Sequence, residues 1–138
     1  MPAKYKLEII TPERIFFEGM VESVIIPSED GFMSVQKGHE PLVTAIDIGM
    51  IKINVDGKWM EASTSEGFME VRPDETLIFA QAVEWPAEID VNRAKEAAER
   101  AKEKLRQKKS WSEHKQSQIS LARAMVRMRV GRKNRNMD

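Results

Sequence analysis

Four arginines near the end of this 138-residue chain, Arg93, Arg100, Arg123 and Arg127, have the residue type and spacing best suited to chemistry. Seven residues separate the first two and four separate the last two, so each pair shares one side of a helix. If two helices fold back about a point near Ser110, Arg93 comes level with Arg127 and Ala97 with Arg123. The four guanidinium groups then converge at one shoulder of a helical hairpin. Like charges gathered in this way repel unless an anion lies among them, and a polyphosphate suits the planar donor forks of arginine. The alternative is four solvated arginines that happen to be level.

Other chemistries find little support. His39 and His114 stand far apart, and neither has metal-ligand or triad spacing. The nucleophile-elbow, phosphate-loop and dinucleotide fingerprints are missing. The acidic pairs Glu29-Asp30 and Asp74-Glu75 fall in predicted turns, where they serve solubility. With no cysteine there is no disulfide or thiolate chemistry, which fits a reducing compartment. These observations point away from an enzyme.

The elements that must position the arginines are of two kinds. From Tyr5 to Ala82 apolar residues alternate or form short β-branched runs, broken at Gly19, Gly31, Gly38, Gly49, Gly67 and Pro73. Ile51, Ile53 and Val55 alternate with Lys52 and Asn54 before Asp56-Gly57 and Lys58-Trp59-Met60-Glu61, which predicts a hairpin on a type I′ turn. Residues 1–86 are thus expected to form an antiparallel β-sandwich or flattened barrel. Residues 87–138 are expected to form an antiparallel two-helix hairpin. Asp90 is the predicted N-cap of its first helix, and Ala94, Ala97, Ala98, Ala101 and Leu105 form a narrow stripe of small residues. Ser110 with Glu113 has capping-box spacing and opens a second pattern through Ile119, Ala122, Val126 and Val130.

Charge divides at the same place. The formal net charge is zero, yet residues 1–86 hold 7 basic against 15 acidic side chains, a balance of −8, and the remainder hold 15 against 7. From Lys115 to Arg135 there are seven Lys or Arg and no acid. A basic ribbon of this kind calls for an acidic partner. A nucleic-acid surface is the competing reading, but the ribbon has no aromatic residue past Trp111 and the front segment would repel phosphate. No apolar run approaches the roughly 20 residues that span a bilayer. Neither a signal peptide nor a transit peptide is visible before Leu7, so membrane association is expected only through a partner.

The order of these features resembles the ε subunit of the F-type ATP synthase along nearly the whole chain. Leu7-Glu8-Ile9-Ile10-Thr11-Pro12-Glu13, Phe17-Glu18-Gly19, Gly38-His39-Glu40-Pro41-Leu42, Gly67-Phe68-Met69-Glu70-Val71 and Ile89-Asp90-Val91-Asn92-Arg93-Ala94 carry the likeness. Glu40 and Glu66 stand where the family usually has alanine and glycine, and Phe32 departs from a commonly polar position. The resemblance implies a noncatalytic subunit of the central stalk, needing no cofactor. Its sandwich would pack on the γ subunit and meet the membrane rotor ring of c subunits, with His39 in the rotor-contact segment. Its hairpin would reach the acidic loops of the α/β catalytic head and suppress ATP hydrolysis. It further implies ATP as a regulatory ligand, with Glu84, Ile89, Asp90 and Ala94 around the adenine and Arg93, Arg100, Arg123 and Arg127 on the phosphates. The implied location is peripheral, on the cytoplasmic face of a bacterial membrane, ahead of an organelle-encoded equivalent. A free-standing nucleic-acid- or ligand-binding module using the basic second helix is the alternative function.

Overall fold

A computed structural model of the chain describes residues 3–106 and 111–136. Two compact units emerge, Met1–Glu84 and Trp85–Asp138.

Among the described residues, the first unit is built from ten strands in two five-stranded sheets. One sheet runs in the order β2 (Ile15–Val21), β1 (Tyr5–Ile10), β9 (Glu75–Ala80), β8 (Gly67–Val71), β5 (Leu42–Ile46). The other runs β10 (Val83–Glu84), β7 (Lys58–Thr64), β6 (Gly49–Val55), β3 (Ser23–Ser28), β4 (Gly31–Gln36). The pairings are antiparallel except for β1 beside β9, which run parallel. Alternation sends Leu7, Ile9, Val21, Val24, Ile26, Ile51, Ile53, Met69 and Ile78 inward, all with essentially no exposure. Their burial, at about 25 cal/mol per Å², is the main favourable contribution to the sandwich. Tyr5 is buried too, and its hydroxyl donates to the Val35 carbonyl at 2.7 Å. Burial raises its pKa above the ordinary phenol value, so the ring keeps its proton and its donor role.

The predicted hairpin turn is present. Asp56 and Gly57 both have positive φ, at 53° and 81°, and Asn54 Oδ1 accepts from the Gly57 amide at 3.1 Å. Gly67 answers a different need: a Cβ there would lie 2.0 Å from the Phe79 carbonyl oxygen, so β8 and β9 can approach only without a side chain at this point.

In the second unit a 3-10 turn at Pro86–Glu88 leads into α1 (Val91–Arg106), followed by α2 (Trp111–Asn136). The side chain of Glu88 accepts from the Trp85 amide at 2.9 Å, and the Glu88 amide donates to the Trp85 carbonyl at 3.0 Å, closing the turn. Asp90 caps α1 as expected: its Oδ1 accepts from the Arg93 amide at 3.1 Å. The alanine stripe faces inward, with Ala94, Ala98 and Ala101 buried and Ala97 and Leu105 half-buried. Ala94 and Ala98 pack with Ala124 and Met128, and Ala97 and Leu121 lie against this cluster.

The face of α2 differs from the expected one. Of the expected four only Val130 is buried; Ala122 is exposed and Ile119 and Val126 are half-buried, whereas Ser117, Ala124, Met128 and Gly131 are buried. The reason is compositional. Apolar residues occur all round α2, so two stripes fit its period, and the small residues that match α1's alanines decide which one enters the seam. Ile119, Val126 and Val130 make a second stripe roughly 140° round the helix from Ala124. Ser110, the predicted cap, lies outside the described residues.

Candidate functional site

Two surfaces follow from this architecture, one on each unit. On the hairpin, Gly131 sits against Val91 and Ile89. This contact sets α2 antiparallel to α1 and makes Gly131 level with Val91. The register falls one residue later than a fold about Ser110 would give. Counting back from it at about 1.5 Å per residue, Arg127 lies about 3 Å along the axis from Arg93, and Arg123 about 1.5 Å from Arg100. Azimuth agrees with level. Arg93 and Arg100 lie roughly 100–120° round α1 from Ala94, and Arg123 and Arg127 roughly 60–100° round α2 from Ala124, in the same rotational sense. On antiparallel helices that sense brings both pairs to one flank. Arg93, Arg100 and Arg123 are exposed, and Arg127 is half-buried.

The remaining residues of the set divide among different roles. Ile89 is buried at the end of the 3-10 turn, and Asp90 is exposed at the cap. Asp90 is tied to the backbone of Arg93, so cap and first guanidinium-bearing residue form one local structure. Ala94 has no exposure and belongs to the interhelical seam. Glu84 belongs to the first unit, on β10, where it pairs with Ser63.

His39 is half-buried in the turn between β4 and β5. Its amide donates to the Gln36 carbonyl at 3.1 Å, and its Nδ1 lies 2.8 Å from the Glu40 carbonyl oxygen. The ring thus supports the local turn. It borders a groove of about 370 Å³ that also meets Lys4, Lys6, Lys37 and Arg72. Three of these four cations are occupied: Lys4 pairs with Asp56, Lys6 with Glu18 at 3.5 Å, and Arg72 with Glu70 at 3.0 Å.

The second surface was not anticipated from the sequence. Strand register aligns Ile15, Ile10, Phe79, Phe68 and Ala45 in one row across all five strands of the β2–β1–β9–β8–β5 sheet. Phe68 and Phe79 stack with centroids 4.9 Å apart, and Ile15 and Phe68 remain 56% and 46% exposed. The row beside it holds Glu18, Glu8, Leu77, Glu70 and Val43. An apolar band flanked by carboxylates thus covers the outer face of this sheet. A sequence signal for it exists in the doublets Ile9-Ile10 and Ile78-Phe79, because adjacent apolar residues on a strand must place one outside.

Comparison with known proteins agrees with this architecture. Residues 4–86 match the family described as ATP synthase, Delta/Epsilon chain, beta-sandwich domain, and residues 87–131 match its long alpha-helix domain. Among similar proteins, the ATP synthase epsilon chain of Caldanaerobacter subterraneus is 46% identical over 138 residues, covering 99% of this chain and 100% of that one. That of Ruminiclostridium cellulolyticum is 45% identical over 133 residues, covering 96% and 99%. The fold is also that of a chain in the Euglena gracilis mitochondrial ATP synthase, with a TM-score of 0.79 at 24% identity, covering 91% of this chain and 80% of that one. With both units matched in order and relatives aligned end to end, the chain belongs to the delta/epsilon family of ATP synthase subunits, as an epsilon subunit of the central stalk.

Proposed function

We propose that this stalk subunit is noncatalytic, with one unit that couples and one that regulates. The sandwich docks on γ through its apolar band and carries torque between the membrane rotor ring of c subunits and the catalytic head. The hairpin suppresses ATP hydrolysis when it opens and presents α2 to acidic loops of the α/β head. Two properties of α2 support this reading. Besides the stripe in the seam with α1 it carries a second one on which Ile119 and Val126 stay half-buried, so a second packing is open to it. Its C-terminal half is basic throughout. ATP bound to the closed hairpin would oppose opening, with Arg93, Arg100, Arg123 and Arg127 on the phosphates and Ile89 and Asp90 beside the base, while Ala94, with no exposure, backs the site from within the seam. The set implied by the resemblance includes Glu84 as well.

The observation that carries the regulatory part is the convergence of both arginine pairs on one flank of the closed hairpin. Opening the seam separates the pairs, so a ligand that needs all four binds the closed state more tightly and shifts the balance toward it. Such a subunit would sit peripherally at the cytoplasmic face of a bacterial membrane, held there by its partners. Removing residues 88–138 is expected to leave assembly and ATP synthesis intact and to raise the ATPase activity of the complex several-fold. Steady-state hydrolysis by the purified complex is the check, and an unchanged rate rules out the hairpin as a brake.

A further inference from the structure

The geometry points to Gly131 as the positioning residue that closes α2 onto the start of α1 and so fixes the nucleotide-facing segment Ile89–Arg93. The inference deepens the proposed ATP site and rests on that reading for its ligand. Gly131 is buried inside a helix, where glycine is a poor choice on propensity alone. Its surroundings supply the reason. A Cβ at this position would lie 2.6 Å from Val91 Cγ2 and 3.1 Å from Ile89 Cγ2. Any side chain there must displace Val91 and crowds Ile89.

The residues that would move flank the cap. Ile89 precedes Asp90 and Val91 follows it, and Asp90 Oδ1 holds the Arg93 amide. A side chain at position 131 would therefore push on a segment whose middle residue orients the first turn of α1, where Arg93 emerges. Ala94, Ala98, Ala124 and Met128 pack further along the seam and can hold the two helices together even when this end is pried apart. The expected consequence is a hairpin still helical but splayed at the end that carries Arg93 and Arg127.

Moving the bulk across the contact tests this. Gly131→Val is expected to weaken ATP binding by the full-length protein about tenfold, read by calorimetry, and adding Val91→Ala should recover most of the loss because the volume at the contact is restored. Valine is a better helix former than glycine, so a loss of binding reflects bulk at the contact rather than helix propensity. Binding within twofold of the parent for Gly131→Val, or no recovery in the double variant, overturns the inference.

A second measurement does not depend on ATP. The chain has no cysteine, so spin labels at Lys95→Cys and Arg132→Cys, both exposed and on the flank opposite the arginines, report the separation of the helices at this end. Gly131→Val should lengthen and broaden that distance, and Val91→Ala should restore it. If the parent chain takes up no ATP, the nucleotide reading falls while this distance still decides the role of Gly131. An unchanged distance in Gly131→Val contradicts that role.

Discussion

The double variant Arg93→Ala, Arg123→Ala is expected to bind ATP about a hundredfold more weakly than the parent protein. Each arginine can give a phosphate a charge-assisted, two-point hydrogen bond, with a net contribution of about 1.5–3 kcal/mol. Both side chains are exposed, so solvent competes and the lower end applies. Two such losses amount to about 3 kcal/mol, or roughly a hundredfold. The pair takes one arginine from each helix, so neither helix retains its full set. Neither residue belongs to the interhelical cluster of Ala94, Ala98, Ala124 and Met128, and helicity should therefore persist. Calorimetry with ATP, alongside circular dichroism, separates a lost site from a lost fold. Undiminished heat of binding would refute the site.

On the other unit, Phe68→Asp is expected to prevent stable association with γ while leaving the sandwich folded. Phe68 stands near the middle of the apolar row and is 46% exposed, so the isolated domain accepts a carboxylate there without burying it. The cost in the free protein is chiefly the stack on Phe79, about 1 kcal/mol. Docking changes the balance. A carboxylate carried into a desolvated apolar contact, beside Glu70 and Glu8 in the next row, has no partner and costs several kcal/mol. Co-purification and titration against γ should show an affinity at least about a hundredfold lower. Trp59→Asp gives the control, because Trp59 is 50% exposed on the other sheet and should be neutral. Equal loss from both substitutions would mean general destabilisation rather than a docking face.

What could be read from the sequence depended on how local the determining interactions are. The turn at Asp56-Gly57, the cap at Asp90 and the alanine stripe of α1 were legible, because each is decided by residues within a few positions of one another. The parallel pairing of β1 with β9 was not, since Leu7 and Thr76 become partners only through the course of all the strands between them. The apolar row needed register as well: Ile15, Ile10, Phe79, Phe68 and Ala45 come from five strands. In α2 the failure was one of degeneracy. Ile119, Ala122, Val126 and Val130 fit a helical period as well as Ser117, Ala124, Met128 and Gly131 do, and only the shape of the facing helix distinguishes them. Arg123 and Arg127 border both stripes, so either choice of face leaves them beside the seam.

That double border gives α2 its proposed function. On that proposal the same helix either lies in the seam with α1, where its arginines share a flank with Arg93 and Arg100, or leaves the seam and offers its basic surface elsewhere. Two packings of comparable free energy make a switch, and a ligand biases it only to the extent that it prefers one of them.

The most direct test of this switch is the ATPase rate of the assembled complex carrying the full chain, divided by the rate with residues 88–138 removed, across a range of ATP concentrations. Dividing by the truncated complex cancels the ordinary dependence of the catalytic sites on substrate. The ratio should lie well below one at low ATP and rise toward one as ATP fills the hairpin. With Arg93→Ala and Arg123→Ala it should stay low throughout. A ratio of one at every ATP concentration would contradict the account.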